Sequence, residues 1–429
     1  MFYEDGCGLP GFEQPSCFPQ VKILHINDNY VNLGGAEKYL RETCIALEEL
    51  GHEIVIITSQ NNKPQGIPHK KVYQLQVSSG LRSGLRMKTD IKSVVEHENP
   101  DVIHLHNVRY FLSPLIINLL YKLKPVVKFC HDTRLFCLNN GKKVLPTDEI
   151  CQLPMGALCF IKRCCSRNNE DGINLDLRSN LIKIWELRMT RRLDKIIVSS
   201  RYMYDELLRN GFSREKVVVN PLYTERSNSS FSSSRPSGEK MILWVGRFNH
   251  PLAIRQKGFT QLIQSLMLMK EKGWRLTVVG GGEHLDEVKK QVSDSKLEDR
   301  IDFVGSVLPG DLDTYYQNST FVVMTSMYPE SFGFVGVEAM AFGKPVVAFD
   351  VGGVREWLMQ EETGFLVERG NVKELARRMD QLLGNAPLAR TFGIRGRDMV
   401  EKKFRQKKHM ENLINIYQDV IENRRRKVA

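Results

Sequence analysis

"VKILHINDNYVNLGGAEKYLRETCIALEELGHEIVIITS", residues 21–59, reads as one strand, loop, helix, strand unit. "VKILHIN" is a short apolar run, "NLGGAE" a glycine-containing loop, and "KYLRETCIALEELG" carries apolar residues at helical spacing and closes on Gly51. "EIVIITS" is a second apolar run. Strands that are nearly continuous apolar runs, not alternating ones, are covered on both faces, as in a parallel sheet flanked by helices. The stretch therefore predicts an α/β fold built on a doubly wound sheet.

The same rhythm continues in "DVIHLHN" (101–107), "PVVKFCHD" (125–132) and "KIIVSS" (195–200), which places a first domain over residues 1–222, its first 20 residues irregular. "TERSNSSFSSSRPSGEK" (224–240) is polar and Ser-rich, so 223–237 reads as a linker. Six further strand candidates follow, "MILWVGR", "RLTVVGGG", "RIDFVG", "TFVVMTS", "PVVAFD" and "GFLVE", separated by helical patterns, and give a second domain over 238–400. Residues 401–429 form a helix with a basic tail, whose apolar residues must be buried back across the domain junction. A chain of 429 residues has the length for two such domains. The expected architecture is two doubly wound, Rossmann-like parallel-sheet domains facing across a cleft, with ligands at the carboxyl ends of the strands.

Composition narrows the function classes. The values of 42% hydrophobic and 26% charged residues are those of a soluble protein, and no apolar stretch is long enough to span a bilayer. The start, "MFYEDGCGLPGFEQPSC", lacks a basic region followed by an apolar core, so no secretory signal is expected and the location is expected to be cytoplasmic. A net charge of +11 fits phosphorylated substrates or an anionic membrane surface as well as dispersed surface cations. The dense basic run "NRRRKVA" at the end offers peripheral contact with the inner membrane face. No aromatic-interleaved basic motif accompanies it, and no nucleic-acid partner is expected.

The chemistry gathers in loops after strands. In "PESFGFVGVE" (329–338), "FVVMTS" is the preceding strand and "FVGVEAMAFG" the helix it feeds. The unpaired N–H groups and mildly positive dipole of a helix start suit a phosphate, and Phe332, Gly333, Phe334 and Val335 present them. A carboxylate only accepts hydrogen bonds and suits neutral hydroxyls, so Glu330 and Glu338 read as grips on two sugars either side of a phosphate. On spacing alone a helix-capping Glu330 and a solvated Glu338 are an equal alternative. Two carboxylates beside a diphosphate require cations, and Arg247 in "VGRF" and Lys257 in "RQKGF" flank the right strand-to-helix junction.

These motifs resemble the retaining, nucleotide-sugar-dependent glycosyltransferases of the GT-B fold, in particular glycosyltransferase family 4, over about residues 21 to 420. The family's Glu-x7-Glu is matched by Glu330 and Glu338, its Gly-Arg and Lys-Gly pair by "GRF" and "KGF", and its downstream run by "GKPVVAFDVGGVRE". The resemblance implies that Glu330 holds hydroxyls of the transferred sugar, Glu338 the ribose, and Phe332 to Val335 the phosphate and sugar. It implies that Arg247 and Lys257 stabilise the leaving diphosphate, that Gly34 and Gly35 let the backbone approach it, and that His131 in "CHDTR" sits beside the sugar, with Asp132 a weaker candidate. "FNHPLAIRQ" makes the gap between Arg247 and Lys257 longer than in the family, so Arg255 and His250 are alternatives for the Lys257 role.

The implied activity is transfer of a hexosyl unit from a nucleoside-diphosphate sugar to a glycan, lipid-linked or small-molecule acceptor. Retention without an obvious second carboxylate nucleophile favours attack from the leaving-group face, with the departing phosphate taking the acceptor's proton. "DLD" (311–313) reads as a helix cap, and no catalytic metal or other cofactor is expected. Nine cysteines include six between Cys130 and Cys165. Cys137, Cys151, Cys159 and Cys164 are either zinc or iron–sulfur ligands or reduced thiols; spacings of 14, 8 and 5 contain no Cys-x2-Cys pair. Two other functions fit the fold: a nucleotide-sugar 2-epimerase, and a non-catalytic relative that binds sugar or an anionic surface.

Overall fold

The computed structural model describes residues 19–30, 34–59, 71–75, 81–108, 112–142, 149–162, 166–169, 172–175, 177–226, 240–308 and 310–428. In the first domain the strands are β1 (Lys22–Ile26), β2 (Glu53–Ser59), β3 (Val72–Leu75), β4 (Val102–Leu105), β5 (Val126–Cys130), the hairpin β6 (Ser166–Asn169) and β7 (Gly172–Leu175), β8 (Lys195–Val198) and β9 (Val217–Val219). The helices between them are α1 (Gly35–Glu49), α2 (Leu81–Glu98), α3 (Ile117–Leu123), α4 (Ala157–Ile161), α5 (Leu177–Thr190) and α6 (Arg201–Arg209). The main sheet is parallel with order β3-β2-β1-β4-β5-β8-β9.

The second domain has β10 (Lys240–Val245), β11 (Trp274–Val279), β12 (Ile301–Gly305), β13 (Phe321–Met324), β14 (Val346–Phe349) and β15 (Gly364–Val367). Its helices are α7 (Pro251–Lys257), α8 (Phe259–Leu268), α9 (Leu285–Asp294), α10 (Leu312–Asn318), α11 (Phe334–Ala341), α12 (Val372–Gly384) and α13 (Ala386–Lys403). The six strands are parallel in the order β12-β11-β10-β13-β14-β15. All six expected strands of this domain form. In the first domain β3, β9 and the hairpin appear in addition to the expected set. The GT-B architecture expected from the sequence is thus the one observed.

In each sheet the chain reverses its direction of progress at one place, between β1 and β4 and between β10 and β13. The loops leaving the carboxyl ends of these strands diverge and leave a crevice, which is why open α/β sheets bind ligands there. Gly34, Arg247 and Glu330 lie between these strands and the helices they feed, and His131 follows the neighbouring β5.

The last helix, α14 (Gln406–Val428), returns to the first domain. Its Met410, Leu413, Ile414, Tyr417, Val420 and Ile421 share a core cluster with Ile23, Tyr39, Leu40 and Phe129, so it covers the sheet face beside α1. The two chain crossings between domains are tied together. Thr224 N donates to Phe404 O at 2.9 Å, and Arg405 Nη1 to the carbonyls of Thr224 and Arg226 at 3.0 and 3.1 Å. Residues 227–239, most of the Ser-rich linker, lie outside the described residues. Among the described residues no helix is long and apolar enough to cross a membrane.

Candidate active site

A cavity of about 500 Å³ opens between the domains. Gly34 and Gly35 reach it from the start of α1, His131 and Asp132 from the end of β5, Arg247 from the loop after β10, Lys257 from the end of α7, and Glu330 and Phe332 to Val335 from the loop after β13. Every site residue anticipated from sequence lines this cavity except Glu338.

Gly34 is the N-cap of α1. A Cβ there would stand 3.1 Å from Arg247 Nη2 and from Glu37 Oε2, a tight approach that shows how closely a second-domain guanidinium lies against the start of a first-domain helix. Burial pushes the Glu37 carboxyl above its ordinary pKa, partly offset by the charges of Arg134 and Arg247.

Lys257 is brought to the cavity by α7, the short helix into which the lengthened gap folds. Gly258 follows with φ +63°, and a Cβ on it would lie 1.9 Å from Thr325 O; Thr325 Oγ1 in turn donates to Lys257 O at 2.8 Å. The end of α7 is thereby fixed against the end of β13. Lys257 Nζ then stands 2.8 Å from Glu330 Oε1, which also accepts from Ser326 Oγ. Burial opposes ionisation of Glu330, but the charge and hydrogen bond of Lys257 together with Ser326 prevail, and its pKa lies below the ordinary value. Glu330 is not a helix cap: Gly333 takes that position on α11, and Trp357 Nε1 fixes the turn by donating to Phe332 O at 2.6 Å. Arg255 and His250 are exposed and line neither this cavity nor its neighbour.

Glu338 lies one turn into α11 and is 4% exposed. Its carboxylate is fully engaged. Oε1 accepts from Lys38 Nζ of α1 at 2.9 Å and from Arg226 Nε of the interdomain crossing at 2.8 Å, and Oε2 accepts from Tyr316 OH at 3.0 Å. The solvated alternative is therefore wrong for Glu338, and the carboxylate bridges both domains. Arg226 also pairs with Asp313, so that acid of "DLD" is an ion-pair partner; Asp311, the N-cap of α10, makes no side-chain capping bond. Sequence reading passed over Lys38 and Arg226. The signal available was the demand of Glu338 for a counter-charge, with Lys38 directly after "GGAE".

His131 belongs to a row of imidazoles. His25 Nδ1 lies 3.1 Å from His106 Nε2, and His106 Nδ1 lies 3.0 Å from His131 Nε2. The row arises because β1 pairs with β4 in a register that sets His25 opposite His104, and His106 follows two residues later on the same face. With Nε2 committed to His106, Nδ1 is the His131 nitrogen left for a ligand. Burial lowers the pKa of His131 to about 3, Asp132 opposing and Lys128 and Arg134 adding to it, so the ring is neutral. His104 and His106 are driven well below the ordinary value by burial and by neighbouring imidazoles, and His409 is lowered to about 4 by burial.

An unfolded imidazole titrates near 6.5, so below that pH the unfolded chain binds protons that these four folded histidines refuse. Stability is lost as pH falls through the unfolded value, by about 1.4 kcal/mol per pH unit for each such histidine. Calorimetry in buffers of differing ionisation enthalpy is expected to show uptake of about four protons on unfolding at pH 5 from these groups, and a melting temperature that drops between pH 7 and 5. A flat profile over that window contradicts the neutral row.

His25, His104 and His106 also bring ligand nitrogens within 4.8 Å of one another, the only such trio of potential metal donors among the described residues. Cys137, Cys151 and Cys159 form no such group, and Cys164 lies outside the described residues. Cys137 instead donates to Asn139 Oδ1 at 2.9 Å, and burial pushes its thiol pKa up. Asp132 caps the turn Thr133–Leu135 and holds Arg134, whose Nη2 is 2.6 Å away. A side chamber of about 170 Å³ adjoins the main cavity, sharing Asp132, Lys257, Glu330 and Ser331 with it and adding Asn140, Gln256 and Tyr328.

Residues 33–222 match the model described as Glycosyltransferase Family 4, and residues 225–399 that described as Glycosyl transferases group 1. An uncharacterised glycosyltransferase of Methanocaldococcus jannaschii is 28% identical over 404 residues, 93% of this chain and 99% of that protein. The N-acetyl-alpha-D-glucosaminyl L-malate synthase of Bacillus anthracis is 25% identical over 412 residues, 91% of this chain and 96% of that one. Anabaena HepE, solved in complex with UDP and glucose, superposes with a TM-score of 0.66 at 18% identity, over 94% of this chain and 99% of its own, a likeness of fold. With a glycosyltransferase match on each side of the cleft and a GT-B architecture between them, the chain belongs to the family 4, group 1 glycosyltransferases.

Proposed function

We propose that this glycosyltransferase moves a hexosyl unit from a nucleoside-diphosphate sugar to a glycan, lipid-linked or small-molecule acceptor, with retention of anomeric configuration. The observation that carries the reading is the convergence of Arg247 and Lys257 on a cavity into which the starts of α1 and α11 both open. Two cations between two positive helix ends form a site for a doubly charged leaving group, and they stabilise charge that develops only as the glycosidic bond breaks. That the relative HepE is solved with UDP and glucose supports the donor class.

Within this reading Glu330, kept ionised by Lys257, accepts hydroxyls of the sugar, and neutral His131 supplies a hydrogen bond without adding charge. Asp132 is tied to Arg134 at 2.6 Å and is not poised as a nucleophile, which favours attack from the leaving-group face, the departing phosphate taking the acceptor's proton. No metal ion enters this scheme, since the two cations supply the charge. The polar side chamber beside Glu330 is the place for the acceptor. The ribose reaches Glu338 by replacing Lys38 or Arg226 on Oε1, so donor binding and domain opening compete for one carboxylate.

A thermal-shift panel of UDP-, GDP- and ADP-sugars is expected to raise the melting temperature with one nucleotide class, and incubation of that donor with an acceptor to release its nucleoside diphosphate. Formation of an epimeric nucleotide sugar with no acceptor present sinks the transferase reading, and stabilisation by none of the panel sinks the donor assignment.

A further inference from the structure

The helix α5 exposes part of its apolar content. Leu181, Ile182 and Arg188 are exposed and Trp185 is half-buried, while Asn180, Glu186, Leu187 and Thr190 are buried against the domain and Ile184 and Met189 pack on its core cluster. Leu181 is 62% exposed, Ile182 37%, and Leu115, from the turn Pro114–Ile116 that packs on α5, 43%. Glu186, by contrast, is 1% exposed and lies 3.8 Å from the buried Lys128 Nζ. The neighbouring exposed side chains Leu181, Ile182 and Leu115 form an apolar patch that calls for a covering phase.

Cations surround this patch. Arg188 is exposed on the same side of α5, and Lys122 is exposed on α3, which packs against α5. Arg424 places its guanidinium 4.5 Å over the Tyr121 ring of α3 and donates to Tyr121 O, which brings exposed Arg425, Arg426 and Lys427 to this side of the domain. Among the described side chains of α3 and α5 no acid is exposed.

We propose that this face docks on an anionic lipid bilayer. Leu181, Ile182 and Trp185 enter the interfacial region, where a tryptophan is favoured, and Arg188, Lys122 and the end of α14 meet lipid phosphates. The charge complementarity selects an anionic leaflet over a neutral one. The position also orients the enzyme: Lys183 of α5 donates to Leu138 O at 2.7 Å and to Asn140 Oδ1 at 2.8 Å, and Asn140 lines the side chamber. A docked molecule holds the chamber near the surface on which it sits.

Of the tryptophans, Trp244, Trp274 and Trp357 are buried, at 2%, 1% and 0% exposure, so Trp185 is the fluorophore that a vesicle can reach. Full-length protein is mixed with phosphatidylcholine vesicles containing or lacking phosphatidylglycerol. Anionic vesicles are expected to co-sediment the protein, shift its emission to the blue, and quench it when the lipid is brominated. The double variant Leu181→Glu/Ile182→Glu is expected to lower partition at least tenfold with an unchanged melting temperature, and Arg425→Glu/Arg426→Glu to weaken binding to the anionic vesicles. Trp185→Phe is expected to keep sedimentation and lose the spectral shift. The proposal is overturned by equal binding to both vesicle types, by no binding, or by wild-type affinity in the first double variant. It is overturned equally by a dimer, seen in analytical ultracentrifugation without lipid, that the same variant dissolves while vesicles capture neither protein.

Discussion

Lys257→Ala is expected to lower turnover of the nucleotide-sugar donor by about 10²- to 10³-fold, the usual consequence of removing one preorganised group that stabilises developing charge. Two effects combine. The leaving diphosphate loses one of its two cations, and Glu330 loses the partner that keeps it ionised, so its pKa rises toward the value that burial alone imposes. Because the Lys257 side chain is 40% exposed and its carboxylate partner 19%, the pair adds little to stability, and the melting temperature should change by no more than about 1 °C. Steady-state kinetics of Lys257→Ala and Lys257→Arg separate the two effects. Arginine restores the charge and is expected to recover part of the turnover. A Lys257→Ala enzyme with wild-type turnover removes Lys257 from the site.

Glu338→Ala carries the largest expected effect on stability. The carboxylate is 5% exposed and serves Lys38, Arg226 and Tyr316 together. Removing one partner of a buried ion pair costs about 3–5 kcal/mol, because the charges left behind have given up water for nothing. Lys38, at 22% exposure, and Arg226, at 13%, recover some hydration, which places the loss at the lower end. For a chain of 429 residues the melting temperature should fall by about 3–4 °C. Donor affinity should fall with it, whereas Glu338→Gln, which keeps an acceptor for Tyr316, should lose less stability. Unchanged melting and unchanged donor affinity together deny the carboxylate both roles.

The parts legible in the sequence are those whose cause is local. β10, β11, β13, β14 and β15, like β1, β2, β4, β5 and β8, are mostly apolar runs of strand length bounded by turn residues, as covered parallel strands are, while the edge strand β12 alternates. "VYQL" of β3 is an edge strand, half-buried throughout, "VVV" of β9 is three residues long, and the hairpin strands "SRNN" and "GINL" are mostly polar, so none carries the signal. Gly34, His131, Arg247 and Glu330 were legible because they sit at strand ends, where topology alone directs them to the cleft. Lys38 and Arg226 were not, since their meeting with Glu338 is a property of how the two domains face each other. The imidazole row was hidden for a related reason: each histidine looks like an ordinary strand residue until the register of β1 on β4 sets them side by side.

The return of α14 to the first domain has a consequence for synthesis on the ribosome. Ile23, Leu40 and Phe129 have their full cover only when Met410 to Ile421 arrive, and the whole second domain is translated in between. At about 5–20 residues per second, translating residues 223–405 takes on the order of ten to forty seconds, during which the nascent first domain carries an open apolar face. The domain that folds first in the order of translation is therefore the last to be completed.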